Sequence, residues 1–160
     1  MAERINTQEV DPGAYQAMFG LEQFVRQSSL SPDLLELVRM RASQINGCAY
    51  CLDMHSKDAI ARGMSPQKLL VLDAWREAPF YTDQERAALE WTEAVTLVAN
   101  RHVPDDVYQA VRPHFSDREL LDLTMAIVAI NGWNRLAISF RQEVGTYQSH
   151  LKPEPAGSAR

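Results

Sequence analysis

The chain has 160 residues, 23% of them charged, with a formal net charge of −5. That length fits one domain and can bury about two-thirds of its extended surface, so no covalent staple is needed for folding. No Lys/Arg block marks a nucleic-acid binder. The longest strongly apolar run, Met125 to Ile130, is far short of the roughly 20 residues that span a bilayer.

The start, MAERINTQEVDPG, is acidic and lacks the apolar core of a signal peptide. A cytoplasmic protein is therefore expected. Alternating and β-branched runs are scarce, so the expected fold class is all-α. Residues 1–13 read as an N-terminal extension, 14–152 as the folded domain and 153–160 as a loose tail.

A first helix is expected over about 14–26. Ser31-Pro32-Asp33 supplies an N-cap, a first-turn proline and an acid facing the dipole, opening a helix that runs to Asn46-Gly47. Gly47 can end that helix or start the next, which runs from about Cys48 to Arg62 and stops at Gly63. Ser65-Pro66 opens a shorter helix to about Ala74. The stretch DAWREAPFY, 73–81, reads as a loop or broken helix carrying Trp75, Phe80 and Tyr81. Thr82 with Glu85 and Ser116 with Glu119 form capping boxes. They lead into helices over 87–99 and 120–141, with a short helix between them from Pro104 that ends before Pro113. Residues 120–130 are apolar on nearly all sides, which fits a central helix or one covered by a partner subunit.

Both cysteines of the chain lie in Asn46-Gly-Cys-Ala-Tyr-Cys-Leu-Asp-Met-His55. With Gly47 before the helix, Cys48 and Cys51 stand at i and i+3 and can meet, and His55 follows at i+4 on the same stripe. A helix start favours a thiolate, and a histidine moves protons near neutral pH. The segment thus holds a nucleophile, a resolving thiol and a proton relay within two turns. Haem attachment would need a histidine at position 52, which is Leu52. An iron–sulfur cluster lacks further cysteines. Zinc could use Cys48, Cys51 and His55 with Glu36, His114 or His150, although three ligands on one helix point poorly at one tetrahedral centre. Redox chemistry ranks first, zinc second and inert packing close behind. Three carboxylates are candidates to orient His55: Asp53, Asp58, and Glu36 on the preceding helix. Glu36 reads equally as a salt-bridge partner of Arg39 or Arg62.

The pattern Glu36, eleven residues, Cys48, two residues, Cys51, three residues, His55 resembles the alkylhydroperoxidase AhpD-like family of the carboxymuconolactone decarboxylase superfamily. RASQINGCAYCLDMHSKDAIARG and INGWNRLAISFR carry the likeness, which extends over roughly 15–150. The resemblance implies an AhpD-like multi-helix domain with the CxxC pair at the N-terminal end of a helix. It also implies assembly as dimers to hexamers. It assigns Cys51 as the thiol beside the relay, Cys48 as its disulfide partner, His55 as the proton acceptor and Glu36 as the group that polarises it.

Tyr50, between the cysteines, stands where the best-studied peroxidases of the family carry a second histidine. As an auxiliary residue it can donate a hydrogen bond but is a poor base. The implied activity is hydroperoxide reduction with no bound cofactor or metal. An external dithiol resets the pair, in relatives a dihydrolipoyl group, with a peroxiredoxin as partner. Two other functions stay open: a redox-responsive binding or regulatory protein, and cofactor-free decarboxylation or isomerisation of a small acid. Asn131, Trp133, Asn134 and Arg135 read as a polar, bulky break in the last helix that organises packing. Arg135 is also a candidate for an acidic ligand.

Overall fold

Asn6, Asp11 and Ser31 each turn a side-chain oxygen onto the first free N–H groups of a helix, and three helices begin there: α1 (Thr7–Val10), α2 (Pro12–Arg26) and α3 (Pro32–Asn46). The computed structural model describes residues 2–151, and the tail expected at 153–160 lies outside them. The chain continues through α4 (Ala49–Ala61), α5 (Pro66–Leu70), α6 (Asp83–Thr96), α7 (Val98–Arg101), α8 (Asp105–Val111) and α9 (Asp117–Phe140). The fold is all-α.

Several boundaries differ from the sequence reading. Part of the extension before residue 14 is helical, because Asn6 and Asp11 cap successive starts. The helix expected over 65–74 is α5 followed by a 3-10 turn at Leu72–Ala74. The segment after Thr82 closes at Thr96 and restarts as α7. A 3-10 turn at Arg112–His114 carries the chain past Pro113, whose missing N–H is unneeded there. Both capping boxes are formed. The expected break at 131–134 is absent, and α9 is continuous. Asn131 and Asn134 use their side chains to join helices: Asn134 donates to Ser43 Oγ at 3.0 Å, and Asn46 donates to Asn134 at 2.8 Å and to Asn131 at 3.0 Å.

Helix α3 is the central strut, packed against α4, α6 and α9, with α2 lying on α9 and α8 on α6. One core surrounds Leu34, Val38, Leu123 and Ile127. A second holds Leu37, Leu72, Leu89 and Trp75. Trp75 is therefore core, with its indole N–H on Glu93, and needs no subunit to cover it. Phe80 is exposed. In a third cluster Ala42, Ile130 and Ala137 pack around Cys48 and Cys51. Gly132 brings α2 close to α9: a Cβ there would meet Met18 at 2.7 Å.

Candidate active site

The site begins with the end of α3. Gly47 adopts the left-handed conformation, φ 69°, which glycine enters without steric cost. Its N–H bonds to Gln44 O at 3.2 Å and that of Cys48 to Ser43 O at 3.0 Å, a Schellman closure that reverses the chain. Cys48 is consequently the N-cap of α4, and its sulfur accepts the Cys51 N–H at 3.4 Å. The two cysteines are paired as a disulfide, with Cα atoms 5.4 Å apart. Both are buried, and Cys51 lines the adjoining cavity together with His55.

His55 Nδ1 lies 2.9 Å from Glu36 Oε2, joining α4 to α3. Arg39 donates to the other Glu36 oxygen at 2.7 Å and to Glu22 at 2.6 Å. Glu36 is only 4% exposed, so its ion pair with Arg39 is not the surface bridge weighed from sequence, and Arg62 is not its partner. Burial alone would raise its carboxyl pKa. The hydrogen bond and charge of His55, and then Arg39, outweigh this and hold it below the ordinary carboxylate value. Glu36 is therefore a carboxylate at neutral pH. It accepts the Nδ1–H of His55, which leaves Nε2 as the ring nitrogen free to exchange a proton.

The other carboxylate candidates have different partners. Asp53 holds Lys57 and the Gly145 N–H, and Asp58 accepts the Tyr147 hydroxyl at 2.9 Å. Tyr50 lines the cavity, and its phenol is pushed up by burial, then by Tyr15 and Asp53. Among the described residues, no group of three or more His, Cys, Asp or Glu side chains is disposed to hold a metal ion.

The cavity has a volume of about 670 Å³. One wall is an aromatic cluster in which Trp133 stands 5.2 Å from Tyr15 and 6.3 Å from Phe19, ring to ring. Beyond α9, residues 142–151 double back across α4, tied down by Lys57 Nζ to Tyr147 O at 2.9 Å and by the Asp58–Tyr147 bond. This strap brings Tyr147 and His150 to the cavity. Sequence reading missed the strap, which carries no periodicity, and missed Glu22, but it named the Glu36–Arg39 pair. The spacing of Arg39 three residues after Glu36 was the signal for that pair.

The family pattern described as "Carboxymuconolactone decarboxylase family" matches residues 12–94. The chain belongs to the carboxymuconolactone decarboxylase family. It is 40% identical over 139 residues to the uncharacterized Bacillus subtilis protein YdfG, covering 87% of this chain and 95% of that one. It is 35% identical over 102 residues to Escherichia coli YnjA, covering 64% and 56% respectively. The solved structure of Agrobacterium tumefaciens ATU0492 superposes with a TM-score of 0.88 at 44% identity, covering 91% of this chain and all of that one. That protein is of unknown function and provisionally assigned to AhpD antioxidant defence. The debrominase Bmp8 shares the fold at a TM-score of 0.78 and 20% identity, covering 88% of this chain and 75% of Bmp8. The family member described here is AhpD-like, with a disulfide-forming CxxC pair at the start of a helix. Among its described residues no helix is long and apolar enough to cross a membrane.

Proposed function

We propose that this protein is a thiol-dependent hydroperoxide reductase. The observation that carries the reading is the joining of Cys51 and His55 on one cavity wall with a buried, ionised Glu36 behind the imidazole. Reduced Cys51 gives its proton to His55 Nε2, and the thiolate attacks the terminal oxygen of ROOH. The O–O bond breaks, Cys51 becomes a sulfenic acid, and the alkoxide leaves as ROH with the proton from His55. The Cys48 thiol then attacks the Cys51 sulfur. The S–S bond forms and the hydroxyl leaves as water, taking the remaining thiol proton. An external dithiol, a dihydrolipoyl group being the expected one, takes up the disulfide by two exchange steps and is itself oxidised. A lipoyl-bearing protein or a peroxiredoxin is the proposed partner, the cytoplasm is the proposed compartment, and a homo-oligomer from dimer to hexamer is the proposed assembly.

Turnover of cumene hydroperoxide with dihydrolipoamide tests the scheme. Cys51→Ser abolishes it. Cys48→Ser also stops turnover but leaves a sulfenic acid on Cys51 that dimedone traps. Full activity in Cys51→Ser would sink the mechanism.

Tyr50 favours a second reading. Standing where the best-studied peroxidases of the family carry a second histidine, its phenol, pushed up by burial, cannot act as a second base at neutral pH, and slow turnover would suit a redox-responsive binding protein. Stoichiometric oxidation without multiple turnovers, followed by a changed partner affinity, would select that reading. Activity on a small acid that survives loss of both thiols would select a decarboxylase or isomerase.

A further inference from the structure

Helix α4 carries more of the cavity than its thiol end. Cys51, His55, Asp58 and Arg62 all line it. They fall at i, i+4, i+7 and i+11, one helical stripe whose ends are roughly 16 Å apart along the axis. Other charged groups of the cavity have protein partners. Arg39 is closed by Glu36 and Glu22, Arg26 reaches Glu22, and Asp58 is taken by the Tyr147 hydroxyl. Arg62 differs. Among the described residues it forms no ion pair, and its Nε is buried without an acceptor. An unmet donor on a permanent cation is costly to keep away from water unless a ligand completes it. The same cavity takes apolar lining from Phe19, Leu35, Ile130 and Trp133. Asp58, one turn before Arg62, is the nearest carboxylate on the stripe. Its bond to Tyr147 leaves the guanidinium donors uncommitted.

We propose that the cavity takes an amphipathic organic acid, its apolar body against the aromatic wall and its carboxylate on Arg62. The planar guanidinium fork matches a carboxylate, and the length of the stripe places the far end of such a molecule beside Cys51. This rests on the cavity being the substrate site of the reading above. It narrows the substrate class to hydroperoxides that carry a carboxylate at the end remote from the peroxide.

Equilibrium binding tests this without turnover. The intact oxidised protein is titrated calorimetrically with decanoate and with methyl decanoate. The wild type is expected to prefer the acid by about tenfold or more, and added salt should erode that preference while leaving the ester unchanged. Arg62→Gln, its fold checked by circular dichroism, should bring the ratio close to one, and Arg62→Lys should keep part of it. Equal affinity for acid and ester, a ratio indifferent to salt, no binding of either, or an undiminished preference in Arg62→Gln would each overturn the proposal. If Arg62→Gln does not fold, the salt dependence of the wild type and the Arg62→Lys ratio still decide the matter. An absence of peroxide turnover with the acid preference intact defeats the peroxidase reading alone. Turnover of cumene hydroperoxide by a wild type that shows no acid preference defeats the anchor alone.

Discussion

Replacing Glu36 by glutamine removes one charge from a buried cluster and changes almost no volume. Both carboxylate oxygens are engaged, one by His55 at 2.9 Å and the other by Arg39 at 2.7 Å, in a side chain only 4% exposed. Breaking a buried ion pair by deleting one partner costs about 3–5 kcal/mol. The amide oxygen can still accept one of the two bonds and Arg39 keeps Glu22, so the expected loss is roughly 2–3 kcal/mol at pH 7. For a domain of this size that is a fall of roughly 5–10 °C in Tm and of about 1 M in urea midpoint. The sign of the pH dependence follows from the carboxyl. Its folded pKa lies below the ordinary value of 4.5, so ionised Glu36 contributes stability above that value, lost as pH falls through the folded pKa. The gap between wild type and Glu36→Gln is therefore full at neutral pH and narrows in acid. Urea titrations of the two oxidised proteins, followed by circular dichroism at neutral and acidic pH, read it directly. Equal midpoints at neutral pH, or a gap that widens on acidification, would refute the reasoning. The same variant should lose about 10- to 100-fold in peroxidase kcat/KM, because the imidazole loses its orienting carboxylate.

Asn134→Ala removes a fully buried amide that donates to Ser43 Oγ and accepts from Asn46, leaving buried polar groups unmet. Thermal melts should show a loss of roughly 2–3 kcal/mol, and alkylation of reduced Cys48 should quicken as the α3 end loosens. Tyr50→Phe removes a hydroxyl whose pKa burial, then Tyr15 and Asp53, already push up, so it is no base at neutral pH. Its kcat/KM should stay within about threefold of wild type with an unchanged pH profile, and a loss above about 100-fold would assign Tyr50 a proton-transfer role. Leu121 and Val128 stand exposed seven residues apart on one face of α9, at 55% and 46%. If that face joins subunits, the double change to Glu should convert an oligomer to monomers in light scattering.

The helices were legible because their ends are written in local chemistry. Ser31, Thr82 and Ser116 each accept a helix N–H three residues on, an interaction spanning only four residues of chain. The thiol site was legible for the same reason, since Cys48, Cys51 and His55 lie within a stretch that one helix orders. What escaped depends on long-range contacts. Asn131 and Asn134 read as a helix break because isolated polar groups in an apolar run look like interruptions. Their partners, Ser43, Asn46 and Thr96, lie on other helices. The 142–151 strap is held by Asp53, Lys57 and Asp58, about 90 residues upstream, and no local pattern announces such contacts. Glu36 stayed ambiguous because both readings contained part of the answer: it binds His55 and Arg39 at once.

The spacing from Glu36 to His55 has a geometric reason that the turn supplies. Across Gly47 the Cys48 N–H meets the Ser43 carbonyl, which fixes the register of α3 against α4. Seven residues before Ser43 stands Glu36, and seven after Cys48 stands His55. Seven residues are nearly two helical turns, so each step returns to the face it left within about 20°. The two side chains that must meet are thus placed by the same turn that caps the thiol helix. A single residue added between Glu36 and Ser43, or between Cys51 and His55, would swing one of them by about 100°, breaking the Glu36–His55 contact while sparing the disulfide. The eleven-residue gap between Glu36 and Cys48 is therefore a constraint on the Glu36–His55 pair, whereas the two residues between the cysteines constrain the disulfide and the placing of His55 together.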